Sequence, residues 1–119
     1  MSRVDHDALV SLYDRLASVN LDAFEAGYFE VAYHALMGAL HTAEDLNDED
    51  RLRALSRLAA EQQAGIDAKV PDHRLATAPA AKRGHETIFA MASRQASARA
   101  IMARRDKQRR GEAGGSASA

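Results

Sequence analysis

Between Phe29 and Leu46, apolar side chains recur at steps of three and four residues, a spacing that an α-helix gathers onto one face. At about 100° per residue, Phe29, Ala32, Tyr33, Leu36, Ala39, Leu40 and Ala43 lie on the same side. Their small alanines let a neighbouring helix approach closely. Gly27 interrupts the helical pattern just before this run, with Phe24 upstream. Glycine takes the left-handed conformation of a helix C-terminal cap without a side-chain penalty. The stretch from Phe24 to Leu46 therefore predicts a turn that feeds a helix packed on one side. The rest of the chain must supply what covers that side.

These residues resemble a single tetratricopeptide repeat. Gly27 stands at the motif's glycine, Phe29 at its aromatic position, Ala32 at its first small position, and Ala39-Leu40 at its later Ala-Leu pair. The resemblance covers roughly one repeat of about 34 residues. It implies a helix-turn-helix and, in a full array, a concave protein-binding groove. The chain departs from the motif at Ala23, where tryptophan is usual, and lacks the closing proline and any second copy at the repeat period.

Upstream, Asp5 is placed to cap a first helix, with Asp7 in its opening turn. Leu9, Leu12, Leu16, Val19 and Ala23 follow at alternating steps of three and four, beside Tyr13 and Phe24. They predict a buried stripe on a helix running to about residue 26. Downstream, Asn47 or Asp48 caps a third helix whose first turn holds Glu49 and Asp50. Its core face is Leu52, Leu55, Leu58, Ala59, Gln62 and Ile66, and Val70-Pro71 closes it. After a linker, Pro79 suits the first turn of a fourth helix, which Gly84 weakens, so that its firm part starts at His85. The expected architecture is all-α: four main helices, at about 5–26, 28–46, 48–69 and 79–108, form a small bundle in a single domain over 1–110. A disordered tail is expected over 111–119, where glycine, serine and alanine dominate.

The absence of cysteine excludes disulfide frameworks, thiolate metal sites and cysteine nucleophiles. The opening residues lack the apolar core of a signal peptide, and no apolar run is long enough to span a membrane, so a cytoplasmic protein without a membrane partner is expected. Charge is polarised along the chain. Residues 1–81 hold seven Lys/Arg against fourteen Asp/Glu, and residues 82–110 hold nine against two. The net charges of these segments are −7 and +7, which makes the basic end stand out.

Three groups of residues could carry function. On the second helix, Glu30, His34, Met37, His41 and Glu44 form a stripe opposite the core face. Imidazole and carboxylate groups bind divalent metals, so Glu30, His34, His41 and Glu44 are candidate ligands. However, His34 and His41 stand two turns apart, roughly 10 Å. Only the pairs Glu30 with His34 and His41 with Glu44 could share an ion, each with help from another helix or subunit. The Glu-x-x-His spacing of di-iron bundles is absent. Read as a surface, the same stripe offers His34, Met37 and His41 to a partner protein. At the basic end, Arg99, Arg104, Arg105, Lys107, Arg109 and Arg110 could contact nucleic-acid phosphates, although no stacking aromatics accompany them.

No cofactor motif, glycine-rich phosphate loop or G-x-S-x-G elbow is present, so no cofactor and no catalytic residue is assigned. The leading expectation is a small helical interaction module that self-associates as a homo-oligomer or docks a protein partner. A nucleic-acid-associated accessory protein and a metal-binding bundle are the alternatives.

Overall fold

The computed structural model describes the backbone of residues 1–118 and the side chains through Gly111. Five helices follow in order: α1 (Arg3–Glu25), α2 (Phe29–Leu46), α3 (Glu49–Lys69), α4 (Thr77–Lys82) and α5 (Ile88–Ser118), with no strand among the described residues. Four are substantial and form a bundle; α4 is a six-residue turn of helix on the link between α3 and α5.

Three helices end in the same way. Gly27 takes φ +85°, its N–H donates to the Phe24 carbonyl at 3.0 Å, and the next N–H, from Tyr28, donates to Ala23 at 2.9 Å. This paired arrangement satisfies carbonyls that the helix leaves open. Asn47 repeats it after α2 at φ 49°, and Gly84 after α4 at φ +73°. Asn47 thus closes α2, while Asp48 opens α3 by accepting the Arg51 N–H at 3.0 Å.

The helix starts and the fourth element differ from the sequence reading. Ser2, not Asp5, caps α1: its Oγ accepts the Asp5 N–H at 3.1 Å. The helix expected over 79–108 is divided, because Gly84 turns the chain and Thr87 caps a new start by accepting the Ala90 N–H at 3.1 Å. The α5 backbone extends to Ser118, into the 111–119 segment read as a disordered tail. Its side chains from residue 112, and Ala119 whole, lie outside the described residues.

Helices α2 and α3 form the middle of the bundle, with α1 on one side and α5 on the other. α1 packs chiefly on α2, and α5 chiefly on α3. The expected α2 face is where predicted: Ala32, Leu36, Ala39, Leu40 and Ala43 are buried, and Phe29 and Tyr33 pack at its margin. Twelve of the nineteen buried apolar residues are alanine, so backbones come close. Between α3 and α5, Ser56 and Ser93 each donate a hydroxyl to the other's carbonyl, at 2.9 and 2.8 Å. At the α1–α2 contact, a Cβ added at Gly38 would stand 3.2 Å from the Leu16 methyls. The larger side chains gather at one end, where Phe24 meets Phe29 and Phe89, and Tyr33 also meets Phe89.

One polar contact crosses this core. Asn20 is fully buried; its Nδ2 donates to the Ala32 carbonyl at 2.8 Å and to Gln62 Oε1 at 3.1 Å. Gln62 Nε2 returns a bond to Asn20 Oδ1 at 2.7 Å. The two amides tie α1, α2 and α3 together at one level.

α1 is rotated from its predicted setting. The residues turned inward are Asn20, Ala23, Tyr13, Leu16 and Phe24, whereas Leu12 and Val19 remain 41% and 47% exposed. On the helical wheel the inward side has shifted by about 60° from the expected stripe. Burying the Tyr13 and Phe24 rings and pairing the Asn20 amide favours this setting over burial of Leu12 and Val19.

Two carboxylates pin helix starts. Partial burial opposes the charge on Asp48, but the Arg51 backbone N–H and guanidinium outweigh it and hold its carboxyl below the ordinary 3.8. At the other end of α3, burial again opposes the charge on Asp67. The hydroxyl and backbone N–H of Thr77 at 2.6 and 2.7 Å, with the Gln63 amide, pull it below 3.8. A depressed carboxyl pKa adds stability that is complete above the unfolded value and is lost as pH falls through the folded one.

Two outcomes follow from these contacts. Asn20→Leu should cost about 1–3 kcal/mol in urea unfolding, because Gln62 is left buried without a partner, and adding Gln62→Leu should recover part of the loss. Asp48→Ala should cost about 1 kcal/mol near neutral pH, and the gap to the parent should shrink as pH falls below the ordinary 3.8 and through the depressed folded value.

Candidate functional site: the outer faces of α1, α2 and α5

The α2 stripe is laid out as the spacing requires, but it does not converge. His34 is exposed, with its ring 5.3 Å from that of Tyr33. His41 is also exposed, with Nδ1 3.8 Å from Glu44 Oε2. At one end Glu30 pairs with Arg74 from the α3–α4 link. At the other, Arg99 Nε on α5 lies 3.2 Å from Glu44 Oε1, an ion pair without hydrogen-bond alignment.

Among the described residues, no three His, Asp or Glu side chains come together as a metal set. The expected pairs, Glu30 with His34 and His41 with Glu44, therefore have no third His, Asp or Glu ligand beside them among the described residues. Two histidines two turns apart cannot meet, and each glutamate is drawn to an arginine on another element. As a surface, His34 and His41 do point outward, while Met37 between them packs down against the core.

The basic end is divided in the same way. Arg99 turns to Glu44, and Arg109 pairs with Asp106 one turn away. Lys107 and Arg110 line a cleft of about 220 Å³ with Asp48, Glu49 and Asp50 at the α2–α3 corner. Nearby, Asn47 Nδ2 reaches Asp106 at 3.4 Å. Arg104 and Arg105 stand exposed and form no ion pair among the described residues. Part of the chain's charge polarity is thus consumed internally, where α5 runs past the acidic start of α3.

A second cleft, of about 300 Å³, opens between α2 and α5. Glu44, Asp45 and Asp106 surround Arg99 there, with Leu52 and Met102 at its floor and rim. A third, of about 270 Å³, lies beside the start of α2 and is lined by Tyr28, Phe29, Glu30, Val31, His73 and Arg74. His73 is fixed in it: its ring meets the Phe29 ring edge-on at 5.2 Å, and its Nδ1 accepts the Leu75 N–H at 3.1 Å.

The sequence reading missed the outer face of α1. Leu12 and Val19 stand one heptad apart in solvent, with exposed Ala8, Arg15 and Asp22 on the same side. The signal was present in the helix itself. Tyr13, Asn20 and Phe24 form a competing face displaced from the Leu12–Val19 seam, and a single helix cannot bury both. On α5, Met91 and Met102 are likewise about half exposed.

No helix among the described residues is long and apolar enough to cross a membrane. No family model, curated protein or solved structure matches the chain.

Proposed function

We propose that the chain is a small helical interaction module that docks a protein through the outer side of its α1–α2 hairpin. The observation that carries this reading is the solvent-facing Leu12–Val19 seam of α1. Exposed apolar side chains are ordinary when scattered singly, but a row at helical spacing is the form in which one helix offers itself to another. The fold holds this row rigidly. The Asn20–Gln62 amide pair fixes the rotation of α1, so the seam is presented in one orientation without reordering on binding. The exposed His34 and His41 on the neighbouring helix supply polar groups for the rim of such a contact.

A nucleic-acid role for the basic end has less support, because Arg99, Arg109, Lys107 and Arg110 already face carboxylates of the same chain. A metal-dependent role would need ligands from a second molecule to complete either half of the α2 stripe. The tetratricopeptide-like hairpin and a cytoplasmic setting fit the docking reading and belong to it as proposals.

The test is photo-crosslinking in living cells, with a photoreactive residue placed at Leu12 and, as a control, at exposed Ala60 on α3. A discrete adduct is expected from position 12 alone, and Val19→Asp should abolish it. Equal adducts from both positions, or none from position 12, would remove the basis for this reading.

A further inference from the structure

A cavity of about 190 Å³ opens where the ends of α1 and α3 meet the start of α2. Phe24, Phe29, Val70 and Gly65 line it, and the exposed Glu25 and Lys69 stand at its rim. The Phe24 and Phe29 rings have centroids 5.1 Å apart, are tilted by 48°, and are only partly covered. They belong to the aromatic cluster with Phe89 and Tyr33, and the cavity gives that cluster room for one more ring. For scale, an apolar cavity of about 150 Å³ holds a benzene molecule.

Gly65 keeps this room open. It lies inside α3, where glycine is less favourable than the alanine this helix uses at positions 60, 64 and 68. A Cβ added there would meet only the Phe24 ring, at 3.4 Å, so the neighbouring side chains do not demand glycine. Lys69 stands one turn further along the same face of α3. Neither Lys69 nor Glu25 forms an ion pair among the described residues. Because α1 ends at Glu25 and α3 at Lys69, the negative ends of two helix dipoles reinforce the Glu25 carboxylate. The cavity therefore combines ring faces, one free ammonium and one electronegative edge.

We propose that this cavity binds a free α-amino acid whose side chain carries a single aromatic ring. The ring lies against Phe24 and Phe29, the carboxylate is held by Lys69, and the ammonium faces Glu25 and the two helix ends. Such a ligand uses all three features at once. A neutral ring compound leaves both charges idle, and a long-chain acid exceeds the cavity and sets nothing against Glu25. A residue inside a peptide chain carries neither terminal charge. This inference goes beyond the docking reading and involves neither Leu12 nor Val19.

A chemical-shift titration of the purified full chain with L-phenylalanine tests it. Phenylacetate lacks the ammonium, phenethylamine lacks the carboxylate, and glycine lacks the ring. Phenylalanine should give saturable shifts with a Kd of roughly 1 mM or tighter, and glycine should give none. Each singly charged analogue should bind roughly threefold more weakly than phenylalanine. Lys69→Gln should weaken phenylalanine and phenylacetate by about the same factor and leave phenethylamine unchanged, while Glu25→Gln should do the reverse for the two analogues. Gly65→Leu should place its side chain where the ring sits and cost at least about tenfold in affinity, yet hold or raise the melting temperature. That combination separates a filled site from a damaged fold. No saturable shift up to roughly 50 mM overturns the proposal. Binding that survives Gly65→Leu overturns it as well, and equal binding of phenylalanine and both analogues overturns the amino-acid assignment.

Discussion

The buried amide pair between Asn20 and Gln62 sets the geometry on which the surface of this protein depends. Buried amide groups must find partners, and here each donor and acceptor used lies on a different helix. Turning α1 to bury Leu12 and Val19 would carry Asn20 away from both Gln62 and the Ala32 carbonyl. The gain from burying two partly exposed apolar side chains, about 1–2 kcal/mol at 25 cal/mol per Å², is comparable to the penalty for an orphaned amide. The aromatic rings decide the matter in the same direction, because Tyr13 and Phe24 lie on the Asn20 side of the helix.

The rest of the core explains why such a contact matters so much. Most of the buried apolar residues are alanines, which bring backbones together but bury little area each. Phe89, Leu36, Leu40, Leu52, Leu55 and Ile66 are the large apolar side chains that are fully buried, all on α2, α3 and α5. Among the described residues α1 contributes only Ala23 and Asn20 to the buried set. Its attachment therefore relies on partly covered residues and on directional bonds, and Leu12 and Val19 are left on its outer side among charged residues. A helix held in this way is both specifically oriented and exposed, which suits a surface that other molecules contact.

How much of this was legible in the sequence varied with what each residue's neighbours demand. The face of α2 was readable because its apolar residues fall in one arc and the positions opposite are polar. Gly27 and the Asn47–Asp48 cap were readable because their chemistry serves local backbone geometry, although the sequence leaves open which of the two residues caps α3. α1 was misread because two overlapping arcs satisfy the same periodicity, and only the long-range partner of Asn20 chooses between them. Ion pairs such as Glu30 with Arg74 and Glu44 with Arg99 join residues distant in sequence, so a stripe that looked like a ligand row proved to be tied off at both ends. The break after Gly84 was visible as a weakness in the helix, but its position was set by the Thr87 cap.

Because the chain contains no cysteine, a single introduced thiol reports its own surroundings without interference. The most direct measurement compares thiol labelling rates for Val19→Cys and Ala23→Cys at nanomolar protein, below any self-association. If the amide pair sets the rotation of α1, the thiol at 19 reacts close to the rate of a free peptide, and the thiol at 23 is protected at least about tenfold. Equal protection at the two positions would show that the helix is turned as its heptad pattern alone suggests, and the seam would lose its place on the surface.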